Sequence, residues 1–311
     1  MGVSTRSTAA PVLSSRTRER ARRARSRWTG LLYVAPALAV YSTFTLLPAL
    51  HTIYLSLFDW DGVGAAAWIG LRNYADVFTD PTLRASIVHA LILIVFFSFI
   101  PVTVGLALVG LLAHRRARGM AVYRVLFFLP YVLPLVAVGV TWRWMYSSDG
   151  TVNQILDAVG LGSLTRAWLG DFTLALPAIG LIGTWTLAGF CMTLFLSAAQ
   201  KIDGALYEAA RIDGARPVQE FRAVTLPALR GEISLALIVT TIAALASFDI
   251  VFVTTNGAPA DRTTVPGLLV YRLAFNDGEV GQACALAVVL TAIVLLVVAV
   301  LRRLSRPEVA Q

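Results

Sequence analysis

The sequence predicts an all-α polytopic membrane protein with six transmembrane helices and with the N- and C-termini cytoplasmic. Three observations carry that expectation: an apolar composition, six long apolar runs, and basic residues that alternate between the connections. Of 311 residues, 57% are hydrophobic and 14% charged, with a mean hydropathy of +0.73. A soluble domain of ordinary make-up carries about 25% charged residues, so the chain reads as a lipid-embedded protein. The formal net charge of +8 would also suit nucleic acid, but 25 of the 26 basic residues are Arg and they cluster between the apolar runs. That is how a membrane protein fixes its orientation. Membrane lipid is therefore an expected partner and nucleic acid is not.

Residues 1–30 hold Arg6, Arg16, Arg18, Arg20, Arg22, Arg23, Arg25 and Arg27 among Ser, Thr and Ala. So little apolar surface does not offset the entropy of folding, and the segment reads as a disordered basic cytoplasmic tail. A cleaved signal peptide is the competing reading, against which the following run is about twice the length of a signal core. The domain proper then occupies 31–303. Its six runs, 31–57, 86–113, 122–145, 174–199, 232–255 and 281–303, are each long enough to cross about 30 Å of hydrocarbon at about 1.5 Å per residue. In lipid the backbone must satisfy its own hydrogen bonds, which makes the runs helices. Residues 304–311 form a short cytoplasmic tail.

Arg and Lys positions set the topology. One set of connections holds the tail arginines, Arg115, Arg116, Arg118, Arg124, Lys201, Arg211, Arg216, Arg222, Arg230, Arg302, Arg303 and Arg306, 20 in all, and the alternate set holds 6. The positive-inside rule places the first set in the cytoplasm. The outward segments are then 58–85, 146–173 and 256–280, with Trp60, Trp68, Trp142, Trp144 and Trp168 in or beside them. These indoles serve either as interfacial anchors or as a surface for an external partner. Pro36, Pro48, Pro101, Pro130 and Pro134, with Gly105, Gly139, Gly180, Gly183 and Gly189, interrupt the runs. They read equally as close-packing points and as joints of a bundle that opens.

A solute transporter needs an energy source, and a phosphate-cradling GxxxxGK[ST] loop is absent, since Lys201, the only lysine, is followed by Ile202. Cys191 and Cys284 lie inside apolar runs, and His51, His89 and His114 add no metal-type spacing, so no metal site is expected. No Ser-His-Asp, Cys-His or GxSxG arrangement is present. The protein is expected not to be an enzyme and to hold no cofactor of its own. Asp249, in the outer half of the fifth run, is the one clear intramembrane carboxylate, and it supports a rival reading as an ion-coupled secondary transporter. A non-transporting membrane scaffold is a third possibility.

The polar stretch 202–227 stands out as a long helix-forming connection on the cytoplasmic side. Asp203 suits a helix cap, Gly214 a left-handed end, and Pro217 the first turn of a second helix closed by Pro227. Leu206, Tyr207 and Ala210 form a modest packing face, with Glu208 and Arg211 as its polar flank. A helix of about nine residues is marginal alone in water and needs a partner to pack on. The alanines and acids make it a poor membrane-surface helix.

Glu208-Ala209-Ala210, Asp213-Gly214-Ala215 and Val224-Thr225-Leu226-Pro227 closely resemble the EAA loop of membrane subunits of bacterial ATP-binding cassette importers. Asp203 and Gly231 stand where many relatives carry proline. Leu31-Leu32-Tyr33-Val34-Ala35-Pro36, Gly70-Leu71-Arg72-Asn73-Tyr74 and Thr255-Asn256-Gly257-Ala258-Pro259 are similar to the carbohydrate-uptake branch that includes maltose, lactose and glycerol-3-phosphate permeases. The resemblance implies a type I importer permease core in a bacterial plasma membrane. It implies as partners a second homologous permease, two ATPase subunits that bind ATP and magnesium, an external solute-binding protein and a sugar. It also implies that Leu206, Tyr207, Glu208, Ala209, Ala210, Asp213 and Gly214 contact the ATPase. In relatives the third to fifth helices line the sugar path; the positions here are Tyr131, Thr184, Trp185, Leu187, Thr240, Ala244 and Ser247. Several family amides are replaced there by Thr, Ala and Ser.

Overall fold

The computed structural model describes residues 33–112 and 120–304. The expected basic tail, Arg115, Arg116 and Arg118, and the C-terminal tail past Leu304 lie outside the described residues. The chain divides into two units at Tyr54 and Leu55. The described part of the first unit lies within one apolar helix, α1 (Tyr33–Leu55).

The second unit opens with a feature that the apolar pattern did not announce, a two-stranded antiparallel pair of β1 (Phe58–Asp59) and β2 (Ala67–Trp68). The helices follow as α2 (Arg72–Thr79), α3 (Pro81–Leu111), α4 (Met120–Val132), α5 (Leu135–Met145) and α6 (Thr151–Ala158). Then come α7 (Ala175–Ala199), α8 (Gly204–Ile212), α9 (Pro217–Ala228) and α10 (Arg230–Leu245). The last are α11 (Asp249–Thr254), α12 (Pro266–Arg272) and α13 (Val280–Leu304). Asp80 caps α3 by accepting from the Thr82 and Leu83 N–H groups at 2.8 and 2.9 Å, ahead of a proline that needs no donor.

Four described helices, α1, α3, α7 and α13, are long and apolar enough to cross a membrane, and counting the bent pairs α4–α5 and α9–α10 raises the number to six. Two expected runs are therefore corrected. The run 122–145 is broken by a 95° bend between α4 and α5. Pro134 lacks an N–H and disfavours helix at Leu133, so the break falls there although hydropathy continues across it. The run 232–255 ends as α10 at Leu245 and restarts as α11 at Asp249, with Phe248 outside helical geometry at φ −131° and ψ −57°. A carboxylate is favourable in a first helical turn, whereas the apolar count is blind to the break.

Three other prolines are absorbed without a break. Pro48, Pro101 and Pro227 each follow a π turn, at Ser42–Leu46, Val95–Phe99 and Phe221–Thr225. A proline ring crowds the carbonyl four residues back and leaves it without a donor. Those carbonyls belong to Phe44, Phe97 and Ala223, each inside its π turn, where the widened ladder makes room. α9 ends at Ala228, one residue past Pro227, close to where the proline was expected to close it.

The core is built around α7, which packs against α3 and α4 and buries Ile179, Ile182, Met192 and Phe195 completely. Its glycines are close-approach points. A Cβ placed on Gly183 would lie 2.1 Å from the Phe97 ring, and one on Gly189 would lie 1.6 Å from the Phe127 carbonyl oxygen. Where α3 meets α10, Thr240 donates to Ser98 Oγ at 2.7 Å in a fully buried hydroxyl cluster that includes Thr241.

Candidate functional site

The polar connection folds into a helical hairpin. Asp203 caps α8 by accepting from the Ala205 N–H at 3.0 Å. Gly214 takes the left-handed conformation at φ 77°, and the Ala215 N–H returns to the Ala210 carbonyl at 2.9 Å, which closes the helix end. The chain then turns into α9, where the Gln219 side chain accepts from the Arg216 N–H at 2.7 Å.

Two contacts hold the hairpin shut. The Tyr207 and Thr225 hydroxyls are 3.0 Å apart, and Arg211 donates to the buried Glu220 carboxylate at 3.1 Å. Glu208 and Arg211 both stand exposed as the polar flank read from spacing, and the ion pair that Arg211 makes runs across the turn to Glu220. Glu220 and Thr225 were not among the expected residues, because nothing in linear spacing reports an ion pair between α8 and α9.

Closing the hairpin sorts the named residues. Tyr207 and Ala210 are half-buried, while Leu206, Glu208, Ala209, Asp213 and Gly214 remain exposed. Ile212 and Val218 join them as unexpected members, 86% and 64% exposed. On α8, Glu208 and Ile212 are four residues apart and so share one exposed side of the helix.

The second site is a cavity of about 430 Å³ between α4, α7 and the α10–α11 break, lined in part by Tyr131, Thr186, Leu187, Ser247, Phe248 and Asp249. Three of the expected cargo residues, Tyr131, Leu187 and Ser247, meet there. The Tyr131 ring stacks on Phe190 with centroids 4.9 Å apart. Ser247 is 8% exposed, and its buried Oγ has no hydrogen-bond partner among the described residues. Thr184, Trp185, Thr240 and Ala244 are not in this lining. The Thr184 hydroxyl donates to the Phe96 carbonyl at 2.6 Å, Trp185 meets Trp142 edge-on, Thr240 belongs to the buried hydroxyl cluster, and Ala244 is core. Short hydroxyls in apolar helices turn to carbonyls whenever one is in reach.

The Thr255–Pro259 motif lies in a loop tied down at Asp261. Arg272 donates to Asp261 Oδ1 at 2.8 Å and also to the Asn256 carbonyl, and Thr264 donates to the same carboxylate at 2.9 Å. The Arg272 hydrogen bond is the main reason that Asp261 is held below the usual carboxylate range. A carboxylate depressed on folding contributes order that is present above its unfolded pKa and lost as pH falls through the folded value. Amide protection over 256–265 is therefore expected to fall on acidification below the ordinary carboxylate range, and Asp261→Asn is expected to show the low protection already at neutral pH. Hydrogen exchange read by mass spectrometry checks both.

Residues 105–309 match the family described as "binding-protein-dependent transport system inner membrane component". The permease protein of the diacetylchitobiose uptake system of Streptomyces coelicolor is 32% identical over 288 residues, 89% of this chain and 82% of that protein. The trehalose/maltose transport system permease protein of Thermococcus litoralis is 34% identical over 272 residues, 86% of this chain and 90% of that protein. Among solved structures, a chain of the bacterial alginate ABC transporter in complex with an alginate pentasaccharide-bound periplasmic protein has the same fold. Its TM-score is 0.77 at 21% identity, covering 92% of this chain and 96% of that one.

Proposed function

Since the chain belongs to the family of binding-protein-dependent transport system inner membrane components, as an ABC importer permease subunit of the carbohydrate-uptake branch, we propose that it forms half of an ATP-driven sugar pathway. It is a transport component and not a catalyst. In this reading a second homologous permease supplies the other half, an external solute-binding protein delivers the sugar, and two ATPase subunits bind ATP and magnesium at a bacterial inner membrane.

The single observation that carries the reading is the α8–α9 hairpin. It is closed on one side by Tyr207–Thr225 and Arg211–Glu220 and leaves Leu206, Glu208 and Ile212 outward. An exposed isoleucine one turn from an exposed carboxylate, Ile212 from Glu208, suits insertion into a partner's cleft, where apolar burial contributes affinity and the charge fixes register. Closure of the ATPase pair would then be passed as a rigid-body shift to α7 and α10, which flank the hairpin. Family membership also favours this over an ion-coupled carrier built on Asp249.

The supporting experiment is affinity purification of the subunit from its native membrane. A separate ATPase and a second permease are expected to co-elute in stoichiometric amounts. A stable homodimer that transports sugar alone would contradict the proposal.

Relatives are named for diacetylchitobiose and for trehalose/maltose, the solved neighbour for alginate. The cavity at Tyr131, Leu187 and Ser247 is the part of this chain best suited to such cargo. Its volume of about 430 Å³ falls within the range of about 300–1,000 Å³ typical of small-molecule sites. Rings stack on the C–H faces of a pyranose while hydroxyl and carboxylate groups take its O–H groups.

A further inference from the structure

From the charge and hydrogen-bonding character of the cavity beside the α10–α11 break, we infer that Asp249 is a specificity-determining residue that restricts the cargo to sugars without a negative charge. The inference rests on the reading of that cavity as the cargo site and goes beyond it to the class of sugar.

The cavity wall is largely apolar, with Phe97, Leu135, Leu187, Phe248 and Ile250 among its lining residues. Against that wall stand few polar groups. Thr186 is occupied, since its hydroxyl is bonded to the Ile182 and Gly183 carbonyls at 3.2 and 2.9 Å. Ser247 Oγ is buried without a partner, and no hydrogen bond or ion pair joins the Asp249 carboxylate or the Tyr131 hydroxyl to another described residue. A buried hydroxyl without a partner carries a desolvation penalty that a ligand oxygen at that point relieves. Ser247 is thus an unsatisfied polar group in the cavity wall, two residues from the carboxylate.

No Arg, Lys or His is among the described residues lining the cavity. A carboxylate accepts hydrogen bonds and donates none, so Asp249 suits the O–H groups of a neutral sugar, or the ammonium of an amino sugar. Asp249 is exposed at the mouth of this cavity, and a uronate or phosphate seated there would bring a second negative charge within a few ångströms of it, where like charges repel. The break in the fifth run is what allows this placement. Restarting the helix at Asp249 sets the residue in the first turn of α11 and at the rim of the cavity.

The test uses the complete importer in lipid nanodiscs and equilibrium dialysis of tritiated disaccharides. The probes are maltose, lactose, trehalose and diacetylchitobiose, each paired with the acid made by oxidising a primary 6-hydroxyl to a carboxylate. At least one neutral probe is expected to bind the wild-type importer about tenfold or more tightly than its acid. Asp249→Asn is expected to shrink that ratio to within about threefold, while Ser247→Ala weakens both members of the pair alike. An acid bound as tightly as its neutral partner, or a ratio unmoved by Asp249→Asn in a protein whose binding Ser247→Ala does weaken, would overturn the filter alone. Absence of neutral-probe binding to wild type, or binding indifferent to Asp249→Asn, Ser247→Ala and Tyr131→Ala together, would overturn the cavity reading and the filter with it.

Discussion

Glu208→Lys is expected to leave the subunit in the membrane at wild-type abundance while lowering ATP-driven uptake by about thirtyfold or more. Glu208 is exposed on α8 and takes no part in either contact that closes the hairpin, so reversing its charge costs the isolated fold little. Its cost appears on docking. Inside a partner cleft arranged for a carboxylate, a lysine leaves a desolvated cation facing the groups that bonded the acid. Such mismatches cost about 2–5 kcal/mol, a factor of roughly 30 to several thousand. Membrane abundance by immunoblot and sugar uptake in vesicles separate the two effects. Normal uptake in the variant would remove the coupling role from this residue.

Gly189→Ala is expected to act on the fold instead. The new methyl would meet the Phe127 carbonyl oxygen at 1.6 Å. That atom belongs to the α4 backbone, so relief requires the α4–α7 crossing to separate. Overpacking a rigid core costs about 1–3 kcal/mol even where side chains can give way. Most of the variant is therefore expected to be lost from the monodisperse peak in fluorescence-detected size-exclusion chromatography of detergent extracts. Gly214→Ala is the useful contrast: nothing lies within 4 Å of an added Cβ there and only the positive φ resists it, which costs about 1 kcal/mol. A smaller loss is expected.

These two residues also mark what the sequence made legible. The hairpin could be read almost whole, because Asp203, Gly214 and Pro217 act locally, through a cap, a left-handed turn and a fixed φ. The long apolar runs could be read because lipid leaves the backbone no other choice. Legibility failed where distant elements meet. Arg211 reached across the turn to the buried Glu220, and Thr184 and Thr240 turned their hydroxyls to Phe96 and Ser98 rather than to a cavity. It failed also where hydropathy runs across a change of geometry, as at Leu133-Pro134 and at Ala246–Phe248. The β1–β2 pair is too short, at two residues a strand, to leave a periodic signature. The dual reading left to Gly183 and Gly189 resolves toward close packing, and the π turns ahead of Pro48, Pro101 and Pro227 show how helices keep such residues without breaking.

Asp249 changes meaning on the same ground. As a lone carboxylate in an apolar run it suggested ion coupling. Placed at the first turn of α11 on the rim of a cavity with an unpartnered serine, it is in the proposed reading a group that faces cargo.

In the proposed mechanism this chain is a pathway whose energy arrives from a separate ATPase through the α8–α9 hairpin. Proteoliposomes holding the subunit with its second permease and binding protein, with or without the ATPase, test it in one measurement of radiolabelled sugar accumulation. Accumulation is expected only when the ATPase and ATP–magnesium are both present, and an imposed proton gradient is expected to drive none. Gradient-driven accumulation without any ATPase would contradict the account.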